Sequence, residues 1–355
     1  MSQQPMHSVA LGGDAKDIHI AQIGYGSMHT WGAKPVTDGE ILETLKAAIE
    51  GAAPHKLLFN GGAFYGPPHD AGANLRMIKN LFAKYPELRE RTVLCIKGGF
   101  VMKDYIEKGI AGVKNDASEE NLREDLRRIT EELGGDKPDI YELARVDKKI
   151  PIEEQMKTMA KLRDEGLFGH IGLSEVAAET IRRAVKITSI ASVEVEYSMF
   201  ETTIEDNGVL AVCEELAIPI FAYSVTGKGM LTGTLKKRSD LAPDDIRLHQ
   251  DRFSEENFPL NVKLGEAVAA RAEKRGQTGS QLAIGWAIAA SKKRIVVPIP
   301  QTTKVSRVEE NFVPGRPGNE LTAEDQAEVR KLLKEIGVAG ERYNAAAREH
   351  MNLWG

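Results

Sequence analysis

The sequence predicts an α/β protein, a single (β/α)8 TIM barrel with a long loop after strand 7 and a C-terminal tail. Eight apolar, β-rich runs alternate with helical patterns from Ile18 onward. No Pro/Gly/Ser-rich linker interrupts the 355 residues, so residues 1–355 are expected to form one domain. Hydrophobic residues at 42% against charged residues at 28% supply a large core.

The expected strands are 18–23, 57–59, 92–96, 140–143, 169–173, 192–195, 219–223 and 295–297. Helix starts are signalled between them. Thr37 and Glu40 form a capping-box pair, Ser118 precedes Glu119 and Glu120, and Thr322 precedes Glu324 and Asp325. Residues 224–258 break the spacing with glycines, a basic cluster from Lys236 to Arg238 and the acidic pair Asp244 and Asp245, a long and therefore functional excursion. The tail 337–355 carries Tyr343, Arg348, His350 and Trp354 and is long enough to fold over a pocket. In such a barrel the chemistry belongs at the C-terminal ends of the strands.

Composition narrows the function. Lys plus Arg at 47 against Asp plus Glu at 52 leaves a formal charge of −5, which provides no field for gripping a phosphate backbone, so no nucleic-acid partner is expected. Cys95 and Cys213 form no CxxC and have no paired histidines nearby, against a disulfide framework or a zinc site. A reducing, cytoplasmic or nuclear setting is expected, with no metal. No run of about 18 apolar residues and no secretory leader pattern is present, so no membrane partner is expected. The oligomeric state is left open.

Two nucleotide motifs fail. Gly24-Tyr25-Gly26 follows the first strand, but His29 holds the third-glycine position of GxGxxG. Lys228 lies between Gly227 and Gly229, yet Ala222 replaces the first glycine of a P-loop and Gly229 its Ser/Thr. A sharper pair is Tyr65, in the run from Phe59 to Gly66, and Lys97, in Cys95-Ile96-Lys97-Gly98-Gly99, each just beyond an apolar strand. Alone, each is an ordinary surface residue. Together at one barrel mouth they make a general acid, because an ammonium stabilises a neighbouring phenolate and lowers the phenol's pKa.

These residues resemble the aldo-keto reductase superfamily from Gly24 to about Asn311. Phe59 to Gly66 resembles its FDxxxxYG pattern, Lys97 its KxG lysine, and Gly172-Leu173-Ser174-Glu175 its GxS motif. Ala222-Tyr223-Ser224 resembles its AYS segment, and Arg307 with Glu309-Glu310-Asn311 its RxxEN. Asn-Gly-Gly before the tyrosine segment and Ala-Arg-Val-Asp after the fourth strand look most like the fungal pyridoxal reductases. The resemblance implies NADPH-dependent reduction of a small carbonyl substrate, most specifically pyridoxal to pyridoxine. A broad aldehyde or ketone reductase and a low-turnover NADPH-binding sensor or interaction protein are the alternatives.

By the same resemblance Tyr65 is the proton donor, assisted by Lys97. The family's aspartate and histidine are replaced by Asn60 and Ala144. Asn60 can still accept from Lys97, but without charge assistance the lysine should be held less firmly. Ala144 removes a second donor to the substrate oxygen, and adjacent Arg145 is the candidate replacement, with a structural role bracing Asp147 as its alternative. His29, His69 and Trp31 are candidate pocket residues.

For the cofactor, the resemblance assigns Ser174, Glu175 and Glu194 to the carboxamide and Tyr223 to the nicotinamide face. Glu175 and Glu194 stand where Asn and Gln are more common, and a carboxylate cannot donate to the amide C=O, which leaves Ser174 as donor. Ser224, Thr226, Gly227 and Lys228 form a pyrophosphate cradle, rich in hydroxyls, backbone N–H groups and one cation. Gln301, Thr302, Lys304, Arg307, Glu310 and Asn311 are placed at the adenosine end, where Lys304 and Arg307 favour the 2′-phosphate of NADPH. The two cysteines are expected to be packed thiols without a function.

Overall fold

The computed structural model describes residues 4–28, 38–67, 69–104, 107, 112–243, 245–344 and 353–355. Strands β1 (Ser8–Ala10) and β2 (His19–Ala21) pair antiparallel, with Val9 opposite Ile20. The barrel strands are β3 (Tyr25–Gly26), β4 (Leu57–Gly62), β5 (Thr92–Gly98), β8 (Ile140–Leu143), β9 (His170–Ser174), β10 (Ser192–Glu196), β11 (Ile220–Tyr223) and β12 (Val296–Pro298). They form one eight-stranded sheet in that order, and every adjacent pair is parallel. Between β5 and β8, β6 (Phe100–Val101) and β7 (Lys114–Asn115) make a small antiparallel ribbon.

The ring closes where β3 and the residues before it meet β12 and the residues after it. Gly24 N–H donates to Pro298 O at 2.9 Å and Gly26 N–H to Pro300 O at 3.2 Å. The approach is close: a Cβ on Gly26 would lie 2.7 Å from Ile299 O, and one on Gly24 would lie 2.9 Å from Leu58 O. The two glycines that suggest a dinucleotide loop are therefore explained by strand closure.

The expected first strand, 18–23, is corrected. His19–Ala21 pairs with Ser8–Ala10, and the barrel pairing begins later, at Tyr25. The cause is packing: Val9, Leu11 and Ile20 join Leu58, Val93, Cys95, Ile140, Phe221 and Val297 in one buried apolar cluster, a plug inside the N-terminal end of the barrel. Residues two positions further along the same strands share that inward face. On β4, β5, β8 and β11 they are Asn60, Lys97, Glu142 and Tyr223, and Ser174 on β9 with Glu194 and Glu196 on β10 join the same face by register. The inner face thus changes from apolar to polar toward the C-terminal strand ends.

The outer layer is helical. Ser118 Oγ accepts from Asn121 N–H at 3.3 Å to start Glu119–Glu132, which buries Leu122, Leu126 and Ile129 against the sheet. Thr322 and Asp325 make a reciprocal capping box at the start of Ala323–Ile336. A second box, Thr278 with Gln281, starts Gly279–Ile288. Thr37 lies outside the described residues. The excursion after β11 contains short 3₁₀ turns at Gly227–Thr232, Arg238–Asp240, Ile246–His249 and Asp251–Phe253, then the helix Phe258–Lys274. Its charged clusters tie these turns: Lys236 and Lys237 N–H groups donate to Asp240, and Asp245 accepts from Arg247 N–H at 2.9 Å. Asp244 lies outside the described residues.

Candidate active site

Tyr65 is placed by the turn that leaves β4. Gly62 N–H donates to Asn74 Oδ1 at 3.1 Å, and Asn74 N–H donates to Tyr65 O at 3.1 Å. A Cβ on Gly61 would lie 2.7 Å from Asn74 Oδ1, and one on Gly62 would lie 2.9 Å from the Tyr65 ring. The paired glycines are the space that this clip and this ring need. Phe64 packs edge-on to the Tyr65 ring at 5.1 Å, which leaves the tyrosine buried at 7% exposure.

Lys97, at the end of β5, brings its ammonium 5.2 Å from the Tyr65 ring centroid. It donates to Asn60 Oδ1 at 2.6 Å and to Glu194 Oε2 at 2.8 Å, while Asn60 Nδ2 donates to the same Glu194 oxygen at 2.5 Å. All three residues are buried. The lysine expected to be held less firmly has an ionic partner that its own neighbourhood in sequence does not reveal. Burial opposes its charge, yet Glu194, Tyr65 and Glu142 outweigh that and hold the ammonium above its ordinary range. For Tyr65, burial is the larger effect and Lys97 pulls the other way, so the phenol is pushed up to about 12. The lysine lowers the value as expected without overcoming burial. Glu142 on β8 is fully buried and accepts from the Cys95 thiol at 3.7 Å, and burial and the charge of Glu194 push its carboxyl well above the usual carboxylate range.

One layer nearer solvent lies a second group. Tyr223 Oη donates to Glu175 Oε1 at 2.8 Å, and Arg342 from the tail reaches both. Its guanidinium donates to Glu175 Oε2 at 2.9 Å and Oε1 at 2.5 Å, and to Glu196 Oε2 at 2.5 Å. It also sits 5.7 Å from the Tyr223 ring centroid and 5.3 Å from that of Tyr343. The tail thus reaches the barrel mouth, and Trp354 N–H closes on Glu175 O at 2.8 Å. Burial pushes the Glu175 carboxyl up, but Arg342 and Arg145 hold it below its usual range. Glu196 is likewise held low against burial by Lys228, Arg342 and Arg252. Arg348 and His350 lie outside the described residues.

Ser174 lies beside Glu175, buried, and its Oγ has no hydrogen-bond partner among the described residues. An unspent buried hydroxyl at this strand end fits a donor to a carboxamide. Glu194 is paired in register with Ser174, and its carboxylate accepts from Lys97 and Asn60. In the loop after β11, Ser224 and Lys228 both have φ of +55°, and Gly227 has +58°. Lys228 donates to Gln250 Oε1 at 2.9 Å and lies 3.9 Å from Glu196 Oε1, and Thr226 O accepts from Gly229 and Leu231 N–H. These backbone bends are compatible with a phosphate cradle.

At the far end, Thr302 Oγ1 accepts from Lys304 N–H at 3.1 Å at the start of Val305–Phe312, and Tyr25 Oη donates to Thr302 O. Gln301 is half-buried, while Lys304 and Arg307 are exposed and Asn311 is buried. Glu310, half-buried, accepts from Thr278 Oγ1 at 2.6 Å.

Ala144 and Arg145 follow the end of β8, so strict alternation does not govern them. Arg145 donates to Ala144 O and faces Tyr223, Glu175 and Tyr343 electrostatically, which places its charge with the outer group. Asp147 is held by Ala117 N–H at 3.3 Å and Lys149 N–H at 2.9 Å. His69 is exposed beyond Tyr65, and His29 and Trp31 lie outside the described residues. Glu142, Glu196 and Arg342 were not anticipated. Glu196 shares the two-residue alternation of Ser192-Val-Glu-Val-Glu196, which could have found it; nothing adjacent in sequence marks Arg342.

The model of the aldo/keto reductase family matches residues 22–334. The "Probable pyridoxal reductase 2" of Schizosaccharomyces pombe is 34% identical over 343 residues, covering 94% of this chain and 98% of that protein. The "Putative pyridoxal reductase" of Saccharomyces cerevisiae is 32% identical over 351 residues, covering 93% and 98%. Among solved structures, a glycerol dehydrogenase from Gluconobacter oxydans superposes with a TM-score of 0.76 at 21% identity, over 93% of this chain and 96% of that one, a likeness of fold.

Proposed function

This chain belongs to the aldo/keto reductase family and is an oxidoreductase, and from that premise we propose that it uses NADPH to reduce an aldehyde to an alcohol, most specifically pyridoxal to pyridoxine. The observation that carries the reading is the buried contact between Tyr65 and the Lys97 ammonium at the C-terminal end of the barrel. The two similar fungal proteins named for pyridoxal reduction support the substrate.

When bound, NADPH supplies the hydride that reaches the carbonyl carbon. Tyr65 gives its phenolic proton to the carbonyl oxygen, and Lys97 stabilises the phenolate left behind. Burial keeps the phenol protonated until then, so the proton is available at neutral pH. Ala144 offers no second donor to the alkoxide, and Arg145 supplies positive charge near the mouth. Ser174 would donate to the carboxamide C=O, Glu175 would accept from its NH2, and Tyr223 would present its ring to the nicotinamide. Ser224, Thr226, Gly227 and Lys228 would hold the pyrophosphate, and Gln301, Thr302, Lys304, Arg307 and Asn311 the adenosine end, with Lys304 and Arg307 selecting the 2′-phosphate.

Arg342 on Tyr223 and Glu175 gives the sensing alternative a specific basis, since the tail competes for groups that the cofactor would use. The deciding experiment follows NADPH oxidation by the purified protein with pyridoxal, pyridoxal phosphate and plain aromatic aldehydes. High efficiency confined to pyridoxal is expected. Broad activity would replace the substrate, and tight NADPH binding without turnover would replace the enzyme reading with sensing.

A further inference from the structure

We propose that Glu194 is a positioning residue for the proton donor: it supplies the buried counter-charge that fixes the Lys97 ammonium beside Tyr65, with Asn60 as the neutral clasp between them. The inference rests on the proposed reductase reading and departs from it in taking Glu194 out of the carboxamide site.

Three hydrogen bonds define the triangle. Lys97 Nζ donates to Asn60 Oδ1 and Glu194 Oε2, and Asn60 Nδ2 donates to the same Glu194 oxygen. An amide can accept from an ammonium and donate to a carboxylate at once; an aspartate at 60 would set two negative groups 2.5 Å apart. Asn60 and Glu194 are thus matched to each other, one neutral and one charged. Neither the lysine nor the glutamate side chain is more than 4% exposed, so water cannot substitute for the missing partner if either is removed.

Position matters as much as charge. Asn60 on β4, Lys97 on β5 and Glu194 on β10 all point into the barrel, and Glu194 reaches across from the opposite wall. The lysine is consequently pinned from two sides of the ring, while its ammonium remains next to the Tyr65 ring. The other titratable groups facing it are Tyr65, Cys95 and Glu142. Glu142 is bonded to the Cys95 thiol, and Glu194 is the carboxylate bonded to Lys97.

The test compares wild type, E194Q and N60D/E194Q, which moves the carboxylate from position 194 to position 60 without changing the formal charge of the triangle. Thermal unfolding, the pH profile of kcat and NADPH affinity are measured for each. E194Q should unfold on the order of 5 °C lower, or fail to fold. Where it folds, kcat should fall about tenfold and the alkaline limb of its profile should move to lower pH, because an unpaired buried ammonium loses its proton more easily. N60D/E194Q should recover the melting temperature and the alkaline limb.

An E194Q variant as stable as wild type, or a double variant that recovers nothing, including one that fails to fold, overturns the proposal. So does an E194Q variant whose only change is NADPH affinity, since that is the behaviour of a carboxamide ligand. The melting temperatures decide the matter even if no carbonyl is reduced; absence of turnover by the wild type would instead defeat the reductase reading.

Discussion

Both oxygens of Glu175 are bonded to one guanidinium, that of Arg342, although the residues lie 167 positions apart in the chain. This bond carries the tail to the barrel mouth and makes two buried carboxylates tolerable, since the same guanidinium also holds Glu196. Breaking it should expose that dependence. Arg342→Ala is expected to cost about 3 kcal/mol near neutral pH. In the wild type, Glu175 and Glu196 titrate below their ordinary 4.5, so this stabilisation is full above that value and fades as pH falls through the depressed folded values. The difference in melting temperature between wild type and variant should therefore be widest near pH 7 and narrow toward pH 3. A difference independent of pH would remove the ion pairs as its cause.

Tyr65→Phe removes a hydroxyl whose proton the proposed chemistry consumes. Turnover should drop by about two orders of magnitude or more, with NADPH affinity retained. Steady-state kinetics together with fluorescence titration of NADPH separates the two quantities, and unchanged turnover would assign the proton to another group.

Ser174→Ala offers a cleaner view of the cofactor end. Its hydroxyl makes no hydrogen bond among the described residues, so folding stability should barely change. If it donates to the carboxamide, NADPH affinity should weaken about fivefold, from the loss of roughly 1 kcal/mol. Equal affinity in both proteins would leave the hydroxyl without a ligand role.

The thiols should be inert in the native state. Burial pushes Cys95 well up and pushes Cys213 up to about 12. An aromatic disulfide reagent at pH 8 should label neither until denaturant is added. Rapid labelling of one thiol in native protein would show that its surroundings open.

Much of the barrel was legible because inward and outward positions alternate: Leu58 and Asn60, Val93, Cys95 and Lys97, and Ile140 and Glu142 all obey the two-residue period. The boundary of the first strand was not, because Ile18 to Ile23 is as apolar as a barrel strand and only tertiary packing assigns it to the plug beneath. Tyr65 and Lys97 were legible as a pair through their place at the C-terminal ends of consecutive strands. The partnership of Lys97 with Glu194 was not, since the two meet across the width of the barrel and nothing near either residue encodes the contact. Arg342 is the same case at greater sequence distance.

The seam formed by Gly24 and Gly26 against Pro298 and Pro300 has a consequence for how the protein fails. A closed ring has no free strand edge, and with the seam open both β3 and β12 would present unpaired backbone groups on apolar strands. Substituting Ala at Gly26, where the added carbon meets the Ile299 carbonyl, should thus be seen first as aggregation during expression, before any kinetic constant can be measured.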